Sequence, residues 1–465
     1  MKNTVIAVLS ALLALCGVSL RAVAAAPGDY VITDYGARAD TTVLSTEALQ
    51  RAIDDCSRQG GGRVVVPPGD YKIGSVELRS HVNLHLMAGA TLYGSTRLED
   101  YRPMKARYVS LRTQSTTIQL LYAEGISHLV IDGFGTIDGR GRAFQKLSWN
   151  DEGITRPHLL RLIDSQDIVV KDVTLRNSGC WMQHYLACDR LRIDGIKVEN
   201  RNNYNNDALD LDGCHDVLVS NLWADSDDDA ITLKSTSPRL CENISIANCV
   251  VSSHCNAVKL GTETNGGFRN ISISNIVVKP SADQREKFFG QWIGSSAISL
   301  EIVDGGVMEN VSLDHFTVEG TESPIFIRLG NRGRGYLLAG DDFDSLIPID
   351  SVGHICGISL SHIQIRNAGS MGCSITGLPG HCVENISLDH IILHHKGGVD
   401  SGQLAQIAES VGDEKEKEYP EATMWGNLPA KGFFVRHARN VSFSDIRVET
   451  VQPDVRPDFV YVDSF

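Results

Sequence analysis

The chain repeats one short pattern of alternating apolar and polar residues over most of its length. Examples are "QDIVVKDVTLRN" at 166–177, "ENISIANCVVSS" at 242–253 and "RNVSFSDIRVET" at 439–450. Alternation with a period of two predicts β-strands, and its return at a long interval predicts a solenoid. Because no helical pattern separates the strands, we predict an all-β, right-handed parallel β-helix. Related stretches begin at positions 166, 189, 215, 242, 269, 309, 356, 384 and 439.

The intervals between repeats show where loops are inserted. The first five repeats begin 23 to 27 residues apart, whereas later intervals reach 40, 47 and 55 residues. We predict insertions at roughly 281–295, 330–355 and 396–435, where loops would wall a surface groove. Walls across one end would close the groove there. The segment at 415–437 mixes charged and aromatic residues, and it either forms such a wall or caps the C-terminal coils.

Several repeats begin with the tripeptide Asn-x-Ser. Each copy alone is an acceptor sequence for N-glycosylation. Their periodic placement instead favours asparagines at equivalent turns of successive coils. The asparagines concerned are Asn243, Asn270, Asn310, Asn385 and Asn440.

A different pattern near the N-terminus predicts a helix. The stretch "TEALQRAIDDCSRQGGG" is amphipathic over about residues 45–59 and ends at Gly60–Gly62. The open end of a solenoid must be covered, so we predict that this helix caps the first coil. Since no linker rich in Pro or Ser divides the chain, residues 27–465 are predicted to form a single β-helix domain.

The first 26 residues resemble a secretory signal peptide. Lys2 precedes an apolar run, and the small residues "AVAAA" follow Arg21 as a plausible cleavage site. The run is too short for a membrane span, which needs about 20 apolar residues. Leu15 is too bulky for a good lipoprotein site at Cys16. We therefore predict a secreted or periplasmic protein without a membrane span.

Composition limits the choice of partners. The net charge is −14 and no long run of Lys or Arg occurs, so nucleic acid is not an expected partner. A hydrophobic fraction of 42% is ordinary for a soluble protein, and we predict a monomer. The cysteines after Cys16 are expected to be buried thiols with one or two disulfides at most, and no C-x-x-C pair suggests a zinc site.

Between the repeats lies a second strand whose copies align without gaps: "DALDLD" (207–212), "DAITLK" (229–234), "NAVKLG" (256–261) and "SAISLE" (296–301). Their third and fifth positions are always aliphatic, so these side chains point into the solenoid. The first position, at the bend before the strand, holds Asp207, Asp229, Asn256 and Ser296. The fourth and sixth positions face outward and hold Asp210, Thr232, Lys259 and Ser299, then Asp212, Lys234, Gly261 and Glu301.

Acidic residues therefore gather where the second strand begins. Coils of a β-helix stack about 4.8 Å apart, which makes Asp207 and Asp229 neighbours with Asp228 beside them. A glycosidase would place two carboxyls at the scissile bond, about 6.5–9.5 Å apart if inversion requires a water between them. A calcium-dependent lyase would use the acids as metal ligands and a basic residue as proton acceptor. The third alternative is an acidic ladder without function, against which the interleaved Lys234 and Lys259 argue.

The sequence resembles glycoside hydrolase family 28, the polygalacturonases and related pectin hydrolases, over nearly all of residues 27–465. The opening "DYGARAD" and "GATLYGS" segments and "RPHLLRLIDSQDIVVKDVTLRNSGCWMQH" at 156–184 carry the likeness. The family's Asn-x-Asp motif matches Asn205–Asp207, and its Asp-Asp motif matches Asp228–Asp229. The resemblance implies a pectin-lyase-like solenoid.

The same resemblance implies hydrolysis of a glycosidic bond with inversion. Asp228 would be the general acid, while Asp207 and Asp229 would hold and activate the water. Three clustered carboxylates cannot all ionise easily, so one stays protonated, as a general acid must. The proton belongs to the coupled group, and its assignment to Asp228 follows from the family. No cofactor and no metal are predicted.

Two motifs of the family are missing. Its Gly-His-Gly aligns with Cys255-Asn256-Ala257, so Asn256 replaces the histidine, and His254 is either a substitute or a polar turn residue. Its Arg-Ile-Lys, which holds the galacturonate carboxylate in polygalacturonases, aligns with Ser299-Leu300-Glu301 and has lost both cations. Lys234, Lys259 or Arg328 would have to rebuild that clamp, and the alternative is that Glu301 and Arg328 form only an ion pair.

We predict an inverting, metal-independent glycoside hydrolase that acts on pectin-derived glycans, chiefly from a chain end and on galacturonic-acid-containing oligosaccharides. The alternatives are a rhamnosidase or galactosidase of the same fold, a calcium-dependent lyase or epimerase, and a carbohydrate-binding β-helix without turnover. Trp181 is either a sugar platform or a core residue. The predicted substrate-binding residues are Asn205, Asp210, Lys234, His254, Asn256, Lys259, Glu301, Arg328, Trp181 and His184.

Overall fold

Each coil of the chain contributes strands to two sheets that run along the solenoid. The structure, a computed structural model, describes residues 28–111, 118–145, 155–281, 293–337 and 346–465. Within these residues one sheet has 19 strands and the other has 12. Strands of successive coils pair in parallel. The right-handed parallel β-helix predicted from the repeats is confirmed.

The 12-stranded sheet carries the second strand of each coil and is called the site sheet below. Its strands are Val76–Glu77, Gln119–Glu124, His158–Ile163, Gln183–Leu186, Leu209–Asp212, Ile231–Ser235, Asn256–Thr264, Ser296–Ile302, Ile325–Leu329, Cys373–Thr376, Phe433–Arg436 and Phe459–Val462.

The 19-stranded sheet carries the repeated alternating stretches. Its strands are Asp29–Val31, Gly62–Val66, Gly69–Ile73, Val82–Leu86, Ala90–Gly94, Ser127–Gly133, Thr136–Asp138, Gln166–Lys171, Thr174–Arg176, Asp189–Asp194, Lys197–Asn200, His215–Ser220, Trp223–Ser226, Cys241–Ser253, Gly267–Val278, Val307–Glu319, His354–Ala368, Val383–Gly397 and Ala438–Gln452.

Aliphatic side chains of successive coils stack inside the solenoid. In the site sheet Leu209 pairs with Ile231, Ile231 with Val258, and Val258 with Ile298. All four side chains are buried, and each contributes about 1.5–3 kcal/mol by leaving water. A slip of one residue would turn a whole column outward, so these columns fix the register. The ungapped alignment of the four strands is therefore confirmed.

Two α-helices of the described residues lie outside the coils. The helix Thr46–Arg58 packs its apolar side, including Leu49, Ile53 and Cys56, against the first coil, which confirms the predicted cap. A second helix, Ser401–Ser410, begins in the predicted insertion after residue 396. Asp400 caps it by accepting a hydrogen bond from the Gln403 backbone N–H. Short 3₁₀ helices span Ile32–Tyr35, Leu98–Asp100 and Gly141–Phe144.

The cysteines of the described residues are all free thiols. All ten cysteines from Cys56 to Cys382 lack a disulfide partner. The allowance for one or two bridges was therefore wrong. Most of these thiols are buried, as Cys188 and Cys241 are between the two sheets, and burial raises the pKa of both well above the ordinary value. The solenoid is stabilised by packing instead.

The predicted signal peptide and Cys16 lie outside the described residues. In the part of the chain that is described, no helix is long and apolar enough to cross a membrane. The insertions predicted at 281–295 and 330–355 are described only in part, whereas the one at 396–435 is described throughout.

Candidate active site

The three predicted catalytic carboxyls meet at one bend of the solenoid. Asp207 precedes the strand Leu209–Asp212 and Asp229 precedes Ile231–Ser235, and these strands pair residue for residue. The backbone N–H of Ala208 donates to the carbonyl of Asp229, which places the two bends side by side. Asp228 accepts a hydrogen bond on Oδ1 from the Asp229 N–H at 3.0 Å. Asp207 and Asp229 are buried, whereas Asp228 is partly exposed.

Asp229 is surrounded by hydrogen-bond donors and a lysine. Its Oδ1 accepts hydrogen bonds from the Asn256 backbone N–H at 3.1 Å and from the Asn256 side-chain amide at 2.7 Å. Lys259 Nζ lies 3.3 Å from its Oδ2. Ser296 Oγ donates to Asn256 Oδ1 at 2.7 Å, which holds the amide with its N–H toward Asp229. Donors and a cation at these distances stabilise a carboxylate.

Asp207 forms a second group with Asp210 and Lys234. Lys234 Nζ lies 3.7 Å from Asp207 Oδ2, 3.5 Å from Asp210 Oδ1 and 3.9 Å from Glu263 Oε2. Burial and the charge of Asp210 raise the pKa of Asp207 well above its ordinary range. Burial raises the pKa of Asp210 to about 7, although Lys234 opposes the shift. Near neutral pH the two carboxyls therefore hold a proton between them.

Asp228 has the environment that a proton donor needs. Burial and the neighbouring charge of Asp229 raise its pKa to about 6, against the opposing effect of Lys259 and Lys234. Asn205 Nδ2 lies 3.4 Å from Asp228 Oδ2. Arg156 donates to Asn205 Oδ1 at 2.9 Å and to the carbonyl of Tyr204, and so holds the Asn205 amide in this orientation.

The remaining acids of the stretch at 225–229 have another role. Asp225 and Asp227 lie 3.3 and 3.6 Å from Arg201 Nε. His254 Nδ1 lies 3.1 Å from Asp227 Oδ1, and its Nε2 lies 3.4 Å from Arg201. This buried polar cluster fixes the turn that presents Asp228 and Asp229. His254, proposed to contact substrate, is placed within the cluster and is almost wholly buried.

Trp181 and His184 lie beneath the groove rather than along its surface. Trp181 is 6% exposed, stacks on His158 at a ring separation of 5.6 Å and lies under Lys234 Nζ at 4.7 Å. His184 is fully buried, with Nε2 3.1 Å from Asp212 Oδ2. Burial lowers the pKa of His184 to about 4, so the ring is neutral at pH 7. Both rings support Lys234 and Asp212 and offer little surface to a sugar.

Comparisons with known proteins show the family of this chain. The family model for glycosyl hydrolases family 28 matches residues 56–327, which is more than half of the chain. The chain belongs to glycosyl hydrolases family 28. A probable polygalacturonase of Vitis vinifera is 29% identical to it over 214 residues, 44% of each chain. An exo-poly-alpha-D-galacturonosidase of Dickeya chrysanthemi is 27% identical over 248 residues, 43% of this chain and 41% of that protein. The match thus spans less than half the length of these relatives.

Two solved structures share the fold of this family 28 chain over most of its length. A hyperthermoactive exopolygalacturonase from Thermotoga maritima superposes with a TM-score of 0.68 and 18% identity, covering 91% of this chain and 92% of that one. A family 28 exopolygalacturonase from Yersinia enterocolitica gives a TM-score of 0.68 and 17% identity over 95% of this chain and 78% of that one.

The two departures from the family pattern are adjacent to each other in space. The register pairs Asn256 with Ser296 and Lys259 with Ser299, so the aligned columns lie side by side in the structure. Glu301 is 1% exposed and accepts a hydrogen bond from Ser299 Oγ at 2.7 Å. Burial raises the pKa of Glu301 although Lys259 opposes the shift. A buried acid therefore occupies the position of the family's lysine.

Arg328 does not replace the missing cations. It is 1% exposed, and its guanidinium donates to the carbonyls of Gly377 at 3.3 Å, Glu414 at 2.6 Å and Lys415 at 3.4 Å. Burial and the charge of Arg436 lower the pKa of Arg328 to about 10. Its side chain anchors the insertion at 396–435.

That insertion supplies a site residue which the columns did not reveal. Tyr419 is 55% exposed, yet its hydroxyl turns inward, 2.9 Å from Thr262 Oγ1 and 3.3 Å from Lys259 Nζ. Burial raises the pKa of nearby Glu421 to about 7, and Glu301 and Asp229 act in the same direction. Tyr419 lies across the site sheet at the coil of Lys259.

Proposed function

We propose that the protein is an inverting glycoside hydrolase that removes a terminal sugar from pectin-derived oligosaccharides. One observation carries the proposal: adjacent carboxyls have opposite environments. Asp229 accepts hydrogen bonds from Asn256 and lies 3.3 Å from Lys259, while the pKa of Asp228 is raised to about 6 and its carboxyl remains partly exposed. Paired carboxyls in such different environments serve as base and acid in glycoside hydrolysis.

The proposed reaction is a single displacement. The Asp228 carboxyl gives its proton to the glycosidic oxygen as the bond from this oxygen to the anomeric carbon breaks. A water attacks that carbon from the opposite face and gives a proton to Asp229. The configuration is inverted, and one proton has passed from Asp228 to the leaving sugar while Asp229 has gained one. Exchange with solvent restores both groups.

Asp207 supports the water from the neighbouring coil. It pairs with Asp210 and Lys234, so its charge depends on the shared proton of that group. Lys234 partly neutralises the acids and keeps the bend compact when Asp229 is ionised.

Terminal rather than internal cleavage is supported by the insertion at 396–435. Tyr419 lies over the groove at Lys259 and Thr262. The loop behind it is fixed by Arg328, through the carbonyls of Glu414 and Lys415. A groove closed at this end would accept the end of a glycan chain. A longer polymer would find no room on that side.

Metal-independent action is supported by the position of Lys259. Oxygen atoms of Asp228 and Asp229 lie with the Cys255 thiol within 4.8 Å of one another. Lys259 Nζ, 3.3 Å from Asp229, already supplies positive charge where a calcium ion would bind, and a thiol is a poor ligand for calcium. The calcium-dependent lyase is therefore the weaker alternative.

A second candidate function is a hydrolase of the same fold for a neutral sugar, such as a rhamnosidase or galactosidase. It is favoured by Glu301, which stands where the family has a lysine. Export to the periplasm or the exterior, where pectic glycans would be met, is supported by the pattern of residues 1–26.

The test is product analysis on a panel of pectic oligosaccharides, with wild type, Asp228→Asn and the exposed control Asp216→Asn. We expect wild type and control to release one terminal sugar, with and without EDTA, and Asp228→Asn to release almost none. Proton NMR of the nascent product should show the inverted anomer. Release blocked by EDTA would favour a lyase or epimerase, and binding without release in wild type would favour a carbohydrate-binding β-helix.

A further inference from the structure

The end of the groove beyond Asp229 contains a buried acceptor. Glu301 Oε1 accepts from Ser299 Oγ, whereas Oε2 makes no hydrogen bond of good geometry to the described residues, although the nearby Thr262 hydroxyl acts to lower the pKa of Glu301. The side chain lies on the outer face of the site sheet, one coil beyond Lys259. An unpaired carboxylate oxygen at such depth is costly unless a ligand supplies the donor. Glu301 thus marks a place where a bound group is expected to donate a hydrogen bond.

The cations that border this end are already engaged. Lys259 lies 3.3 Å from Asp229 and contacts the Tyr419 hydroxyl. Arg328 donates to backbone carbonyls of the insertion. Arg332 donates to both carboxylate oxygens of Asp304, through Nε at 3.0 Å and through its terminal nitrogen. None of these three is placed to receive a second carboxylate from a substrate.

Acids outnumber cations around Lys259. Asp229, Glu301 and Glu421 act together on this lysine, and although burial opposes it, Asp229 and Glu301 raise the pKa of Lys259 well above its ordinary value. A uronate here would bring another negative charge into a buried acidic cluster. Like charges at short range in a medium of low polarity repel strongly.

We propose that the sugar bound over Lys259, Ser299 and Glu301 is uncharged, and that Glu301 selects it by accepting a hydroxyl hydrogen bond on Oε2. This inference rests on the proposed function, since it names the substrate of the same site. The released residue is a neutral hexose or deoxyhexose at the end of the glycan. The Tyr419 hydroxyl supplies a donor to an oxygen of that sugar, and Glu301 rejects a carboxylate by repulsion.

The test compares 4-nitrophenyl α-galactoside and α-rhamnoside with 4-nitrophenyl α-galacturonide. We expect wild type to prefer one neutral glycoside by at least about 100-fold in kcat/KM. Glu301→Gln should lose about 10- to 100-fold on the neutral glycoside, since it loses a charge-assisted hydrogen bond. This variant should lose less of its kcat/KM on the galacturonide, so its preference for the neutral glycoside over the galacturonide should decrease. Glu99→Gln, an exposed acid far along the chain, is the matched control.

Binding is measured separately so that the two proposals can fail independently. Calorimetry with Asp228→Asn uses disaccharides that end in galactose, rhamnose or galacturonate. If the protein binds the disaccharides with a neutral end more tightly but wild type cleaves none of them, the proposed hydrolase activity is overturned. The proposal that the site selects a neutral sugar would then still hold. If the galacturonate-ended compounds are cleaved faster or bound more tightly than the neutral ones, and Glu301→Gln does not change this preference, the proposed selection of a neutral sugar is overturned. Thermal unfolding of each variant shows whether it is folded.

Discussion

Asn256 donates two hydrogen bonds to a single oxygen of Asp229, one from its backbone and one from its side chain. The side-chain amide cannot turn away, because Ser296 holds its oxygen. This fixed pair of donors stands where the family pattern has a histidine. The amide has no titratable proton, so Asn256 orients and stabilises Asp229 without taking up a proton itself.

Replacing Asn256 should therefore weaken catalysis. Asn256→Leu keeps the backbone donor and removes the side-chain donor, which is worth about 1.5–3 kcal/mol to a charged acceptor. We expect kcat/KM to fall about 10- to 100-fold. Ser296→Ala, which leaves the amide in place but free to turn, should give a smaller loss of kcat/KM. An unchanged kcat/KM in both variants would exclude this role.

Asp228 should set the alkaline limb of the profile. A general acid acts only when protonated, so activity should fall as the pH rises through about 6, the raised pKa of this carboxyl. Asp228→Asn should lose about 10²- to 10⁴-fold on a natural glycoside and should lose the alkaline limb as well. On an aryl glycoside whose leaving group needs no proton, much of the activity should return. Equal losses on both substrates would argue against an acid role.

Asp210 should destabilise the fold at neutral and alkaline pH. Its folded-state pKa, about 7, lies above the unfolded value near 3.8. The contribution of such an acid to stability is fully present below about pH 3.8, falls as the pH rises from there, and is lost by about pH 7. Asp210→Asn should raise Tm by about 2 °C or more at pH 8 and change it little at pH 4. Thermal unfolding at the two pH values measures the change in Tm caused by the substitution. A larger gain in Tm at pH 4 than at pH 8 would contradict the prediction.

Trp425 should hold the insertion in place. Its ring lies between the guanidinium groups of Arg328 and Arg436, each 5.3 Å from the ring centre, and Nε1 donates to the carbonyl of Asp413. Trp425→Ala removes a buried aromatic side chain and should cost about 3–5 kcal/mol of stability. If the loop then moves, longer oligosaccharides should appear among the products, because the end of the groove is open. Arg328→Lys keeps the charge but loses most of the hydrogen-bond donors. It should also give longer oligosaccharide products, in smaller amounts. Single-sugar release unchanged in both would show that the insertion does not set exo action.

Patterns repeated from coil to coil were predictable from the sequence. Leu209, Ile231, Val258 and Ile298 were aligned by alternation alone, and the structure pairs them in that register. The turn asparagines are confirmed too: Asn243, Asn270 and Asn310 all have φ between 54° and 58°, which asparagine tolerates better than most residues. Their side chains form a ladder, with amide-to-oxygen distances of 3.0 and 2.8 Å.

Features that depend on a single loop were not predictable. Tyr419 lies in an insertion with no equivalent in other coils, so no column indicated that it reaches Lys259. Arg156 precedes its strand as a lone basic residue, and only folding brings it to Asn205. His184 lies in the site sheet, where it pairs with Asp210 in the next coil. Alternation cannot show that this face is itself covered, and the ring is fully buried.

The stacking of site groups on successive coils also makes the site modular. Asp207, Asp229 and Asn256 each come from a different coil, and neighbouring coils are about 4.8 Å apart. Duplicating or deleting one whole coil would leave the hydrophobic columns in register and move one group past another by that single step. A solenoid can thus change the spacing of its reactive groups in discrete units, through gain or loss of a repeat, without redesigning its core.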